Sequence, residues 1–228
     1  MNEGNNLIPT NLENAVEITI DALISTIPVL GGPISTITSG IQGIRKDKRF
    51  VEFIEGIKND LEGKIENIRN DFISKEDFID IFEETTRRVV SSRQHEKREA
   101  FRHILTNSIT TSQITYDEIE EYLKLVDRLR PEHIFMLKIL KNPIAYDESI
   151  GNKVGKGGGA ITSIHQIMRT LLPDWNESDI VEILSQLEDE RLVHHMNKRF
   201  NTMLTDQGIN HLVGSLTEKG NKFCNYIN

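Results

Sequence analysis

The side chains best suited to metal binding or nucleophilic chemistry are seven histidines, at positions 95, 103, 133, 165, 194, 195 and 211, and one cysteine, Cys224. Their spacing does not concentrate that chemistry. A zinc site draws on histidines or cysteines a few residues apart, and no His-x-x-x-His or cysteine pair occurs. His194 and His195 are adjacent and, on a strand, would point to opposite faces. The glycines of 151–159 invite comparison with a phosphate-cradling loop, which needs Gly, four residues, then Gly-Lys-Ser/Thr. Here Gly155-Lys156 is followed by Gly157, and no strand-like run precedes it. No nucleophile elbow, kinase signature or dinucleotide fingerprint is present either. The sequence therefore predicts a non-enzymatic protein with no catalytic residue, no metal and no cofactor.

Charge offers a different kind of site. Lys and Arg number 27 against 35 Asp and Glu, a formal net charge of -8. An acidic balance repels phosphate backbones at a distance, which makes nucleic acid a poor partner. Two local stretches invert it. Arg45, Lys46, Lys48 and Arg49 stand together against Asp47 alone. Arg87, Arg88, Arg93, Lys97, Arg98 and Arg102 then face only Glu96 and Glu99. Both clusters are candidates for an anionic headgroup, a phosphate or an acidic partner. The competing reading is a charged helix face paired with the protein's own carboxylates, and the spacing leaves both open. Cys224 has no intramolecular partner, which suits a reducing cytosol, and the polar start resembles no signal peptide. The expected location is the cytoplasm, at most peripheral to the inner face of the membrane.

Helices must position these groups. Residues 22–44 carry no charge and are long enough to cross a bilayer, which takes roughly 20 apolar residues. Four glycines, two prolines and several hydroxyl side chains dilute them, which argues against a constitutive span. The pattern instead predicts a hairpin broken at Gly31-Gly32-Pro33. Leu23, Ile24 and Ile27 share one stripe of the first arm, and Ile34, Ile37 and Ile41 share one of the second. Such a hairpin is either buried core or a conditionally membrane-active segment beside the first basic cluster. Phe50, Ile54, Ile57, Leu61, Ile65, Ile68 and Phe72 then predict one sustained amphipathic helix. Ser74 and Asp77 mark the start of the next, which buries Phe78, Ile81, Phe82 and Val89.

Further stripes follow from Tyr116 to Leu129 and, after Pro131, through Ile134, Phe135, Leu137 and Leu140. Residues 142–159 read as a loop. Two more helices, a short apolar strand, a hairpin-like stretch and a last helix capped by Thr217 give the order of a winged helix. Its groove helix would hold Glu177, Asp179, Glu182, Glu188, Asp189 and Glu190 against Arg191 alone, so it points to protein association before DNA reading. The expected fold is mainly α, with an N-terminal helical hairpin and bundle over 1–115 and a winged-helix-like domain with a small β-hairpin over 116–228.

The succession of a glycine-interrupted apolar segment, EKREAFRHILTNSI at 96–109 and YLKLVDRLRPEHIFMLKIL at 122–140 resembles bacterial abortive-infection-alpha-type proteins, associated with phage resistance. The likeness spans about residues 15–140 and lies in patterning; it carries no catalytic residues. It implies a bacterial defence or stress protein acting through a protein partner or homo-oligomer, with an anionic membrane surface as a second contact. The alternative is a winged-helix transcriptional regulator that binds DNA.

Overall fold

The computed structural model describes residues 44–62, 64–73, 76–111, 114–155, 163–195 and 207–228. The chain divides into two compact units, and the boundary falls between Lys124 and Leu125. That point lies inside a helix, whereas the sequence placed the boundary at 115/116. Leu23, Ile24, Ile27, Ile34, Ile37 and Ile41 lie outside the described residues. No helix among the described residues is long and apolar enough to cross a membrane.

The first unit begins with α1 (Ile44–Leu61), a 3-10 turn (Ile65–Asn67) and the single turn α2 (Asn70–Ile73). Helices α3 (Glu76–Ser91) and α4 (His95–Thr110) follow, and α1, α3 and α4 each pack against the other two. Phe53, Ile57 and Leu61 recur every four residues and place one buried stripe on α1. From α3 come Phe78, Ile81, Phe82 and Val89, and from α4 Phe101, Ile104 and Leu105. Each buried side chain of this size contributes about 1.5–3 kcal/mol relative to exposure. The Phe53 and Phe82 rings lie 6.2 Å apart, and Phe72 meets Phe78 edge-on at 5.6 Å.

The single helix expected from Phe50 to Phe72 is corrected here: α1 stops at Leu61. Ile68 and Phe72 are buried, but by a chain that has already turned. The Arg69 backbone N–H donates to the Ile109 carbonyl (3.0 Å) and its guanidinium donates to the Thr111 carbonyl (3.0 Å). These bonds satisfy orphan carbonyls at the end of α4, while the same guanidinium sits 4.9 Å from the centre of the Phe72 ring. Periodic apolar residues thus continue through a break because tertiary contacts bury them, not one helix face.

Helix α5 (Tyr116–Arg128) carries the unit boundary. The second unit then contains α6 (Pro131–Lys141), α7 (Pro143–Ser149), α8 (Ile164–Leu171), α9 (Glu177–Asp189), a 3-10 turn (Gly208–Leu212) and α10 (Glu218–Tyr226). Helix α6 packs against α7, α9 and α10. The expected loop over 142–159 is also corrected, because α7 occupies its first half. Asn142 Oδ1 accepts the Ala145 N–H (3.3 Å) and Pro143 fills the first helical position. Asp147, fully buried, folds the chain back by accepting the Val154 and Gly155 N–H groups at 2.9 and 2.8 Å.

The C-terminal helices follow the expected order, but the strands of a wing do not appear among the described residues. Among the described residues there is no strand, only an isolated antiparallel bridge between Val193 and Leu216. Residues 196–206, where a hairpin would turn, lie outside the described residues. Thr217 caps α10 as expected, its Oγ1 accepting the Gly220 N–H at 2.9 Å. On the acidic α9 side, Arg128 grips Glu190 through two bonds of 2.7 and 2.8 Å, and Arg130 reaches Glu182 at 2.9 Å. Arg128 holds the Glu190 carboxyl below the ordinary carboxylate range. Two of the carboxylates that would repel DNA are therefore already matched by arginines of the same unit.

Candidate functional site

A cleft of about 340 Å³ opens in the first unit between α1, α3 and α4. Helical spacing builds its walls. Arg49, Glu52 and Phe53 lie three and four apart on α1, and His95, Arg98, Glu99 and Arg102 repeat in the same way on α4. Val89 of α3, with Phe53, supplies the apolar part. The two basic clusters singled out in the sequence meet here, although Arg49 and Arg98 come from different helices.

What each cation already touches decides what it can still do. Arg102 is committed. Its Nε donates to Asp60 Oδ2 at 2.9 Å, its Nη2 lies 2.8 Å from Glu99 Oε2, and Nη2 also donates to His103 Nε2 at 3.0 Å. Thr106 Oγ1 donates to the same Asp60 oxygen at 3.3 Å. Asp60 and Glu99 are both part-buried, and by pairing with them Arg102 holds α1 to α4 and is not free to take an anion.

Arg49 and Arg98 differ. Arg49 Nη1 donates to the Val90 carbonyl at 2.9 Å. Arg98 Nη1 donates to the Arg93 carbonyl at 3.0 Å and reaches the Ser92 carbonyl at 3.4 Å. Arg49 thus meets the last turn of α3, where the helix dipole favours positive charge, and Arg98 the two residues that follow the helix. A guanidinium has five N–H donors, and among the described residues neither arginine faces a carboxylate within ion-pair distance. His95 stands exposed on the same wall.

The other candidate cations distribute as follows. Arg45 and Lys46 fall in the first turn of α1. Lys48 is exposed and lies 3.5 Å from Glu52. Arg87 and Arg88 both pair with Glu84 on their own helix, Arg87 at 2.7 Å. Arg93 is exposed between α3 and α4, and Lys97 is half-buried on α4. Lys48, Arg87, Arg88 and Arg102 thus pair with carboxylates of the same unit, while Arg49 and Arg98 line the cleft. Sequence reading missed Phe53, Val89 and Asp60 as members of this region. The first two were signalled by their three- and four-residue spacing from Arg49 and from the buried α3 stripe; Asp60 had no local signal.

Elsewhere, no group of three or more His, Cys, Asp or Glu able to hold a metal ion occurs among the described residues. Cys224 is buried in α10, and burial pushes its thiol up to about 12. No protein-family model matches the chain, and neither curated proteins nor solved structures yield a match.

Proposed function

We propose that the chain is a non-enzymatic bacterial defence or stress protein that acts by association, and that the cleft of its first unit receives an acidic group of the partner. One observation carries this reading: Arg49 and Arg98 come from separate helices to one concave surface, with only backbone carbonyls as described partners. Arginine forks are suited to carboxylate and phosphate recognition. The uncharged residues 22–44, flanked by Arg45, Lys46 and Lys48, supply a second contact at an anionic membrane surface in the same reading.

The test is affinity capture from a bacterial extract with the intact chain and with the double variant Arg49→Glu/Arg98→Glu. The expected result is a partner whose retention falls with salt and is lost on charge reversal. Identical retention by both proteins, together with a strictly monomeric intact chain in sedimentation, removes the reading.

A second reading, a winged-helix regulator, draws support from the helix order of the second unit and the Val193–Leu216 bridge that precedes α10. The acidic face of α9 opposes it. Sub-micromolar duplex-DNA binding that weakens steeply with salt in a mobility-shift titration would promote it over association.

A further inference from the structure

We infer that the cleft of the first unit binds a small organic phosphate monoester. This inference rests on the cleft being the recognition site proposed above; a free phosphate monoester competes there with the partner's acidic group.

Three features of the cleft lead there. The first is the number and direction of donors. One guanidinium in a two-bond fork balances the single charge of a carboxylate. Arg49 and Arg98 approach from different helices, anchored through Nη1 to the last turn of α3 and to the link after it, and His95 stands on the same wall. A phosphate monoester, with a charge of about -1.5 to -2 and three terminal oxygens, matches two arginines and offers an oxygen to each of the three side chains, where a carboxylate brings a single charge.

The second feature is size. At about 340 Å³ the cleft lies near the lower end of small-molecule sites, roughly 300–1,000 Å³. It is larger than a bare oxyanion needs and concave between three helices, so it fits a compact organic body better than an extended polymer.

The third is the composition of the remaining wall. Phe53 and Val89 offer apolar surface, and Glu52 offers a carboxylate whose described ion pair is the exposed Lys48 at 3.5 Å. An anion with an apolar body and a hydroxyl or amino group would meet a complementary atom at each point.

The experiment uses the full chain and three probes: phenyl phosphate, inorganic phosphate and benzoate. Titrations followed by ³¹P line position and by calorimetry should show saturable, single-site binding of phenyl phosphate. Its affinity should exceed those of inorganic phosphate and benzoate by about tenfold or more. Arg49→Gln and Arg98→Gln should each weaken it by a similar factor, and Arg169→Gln, an exposed change in the second unit, should leave it unaltered. Because Arg49 and Arg98 also bind the last turn of α3 and the link after it, Arg49→Lys and Arg98→Lys serve as folded controls. They keep the charge, lose the fork and should still weaken phenyl phosphate.

Equal affinity for benzoate, no saturable binding at millimolar probe, or undiminished binding in folded Gln and Lys variants overturns the inference. Arginine-dependent capture of an acidic macromolecule that phenyl phosphate does not displace overturns it while leaving the proposed association in place. Loss of both sets of results removes both.

Discussion

The Arg102 side chain crosses α1 at Gly56, where a Cβ would stand 2.3 Å from Arg102 Nη1 and 2.5 Å from its Cδ. The missing side chain opens the route by which Arg102 reaches Asp60, one helical turn further along α1, at 2.9 Å. A glycine that is unfavourable for the helix is thus the condition for the ionic contact that joins α1 to α4.

Gly56→Ala should therefore destabilise the protein despite improving helix propensity. The propensity gain is up to about 1 kcal/mol. Displacing Arg102 from the part-buried Asp60 costs more, for a net loss of about 1–2 kcal/mol. In an Arg102→Ala background the sign should reverse, because only the propensity term remains. Denaturant unfolding of the two singles and the double variant measures this; an additive cycle contradicts it.

His133 should make stability pH-dependent. It is buried at the start of α6, where its Nδ1 accepts the Arg130 N–H at 3.2 Å. Burial lowers its pKa; a contact with Gln186 works the other way, and Arg130 adds to the lowering. With the folded pKa below the unfolded value of about 6.5, stability is fully present above that value. It falls as pH drops through 6.5 towards the folded pKa, because the unfolded chain binds the proton first. His133→Gln can keep an acceptor for the Arg130 N–H and has no titration. Compared with that variant, the parent should lose up to about 1.4 kcal/mol per pH unit across this window. Denaturant titrations at neutral and mildly acidic pH give the comparison, and parallel slopes would refute it.

Gly220 and Thr217 form the close start of α10. A Cβ on Gly220 would lie 1.9 Å from the backbone carbonyl oxygen of Leu192, which no side-chain rotation relieves. Gly220→Ala should cost about 3 kcal/mol or the native fold. Thr217→Ala removes the cap to the Gly220 N–H and a 2.7 Å bond to the Arg191 carbonyl. That change should cost about 1–2 kcal/mol, with Thr217→Ser recovering most of it. The order of the three melting temperatures is the readout.

Cys224 should be inert in the folded protein. With its thiol pushed up to about 12 and its side chain buried, almost no thiolate exists at pH 8. Its reaction with an aromatic disulfide should track opening of α10, and denaturant should accelerate it steeply. Rapid labelling without denaturant would contradict the placement.

The sequence alone determined many of the inward-facing residues, because a helix face depends on a local 3.6-residue period, although it set Ile54 on the α1 stripe where Phe53 is buried and Phe135 on the α6 stripe where it is exposed. Phe78, Ile81 and Phe82 on α3, Ile134 and Leu137 on α6 and the Thr217 cap of α10 follow from neighbours only a few positions away. Asn142-Pro143 was a legible start signal for α7, overshadowed by the glycines that follow it. Tertiary structure decided what local period cannot encode. It ended α1 at Leu61 while later apolar residues kept the rhythm, and it paired Arg102 with Asp60 across 42 positions. It also brought Arg49 to the Val90 carbonyl, 41 positions away, beside Arg98. Two basic stretches in a sequence are only charge. They become a cleft when α1 and α4 pack on the same helix and leave an opening between them, an outcome of long-range packing that no short window contains.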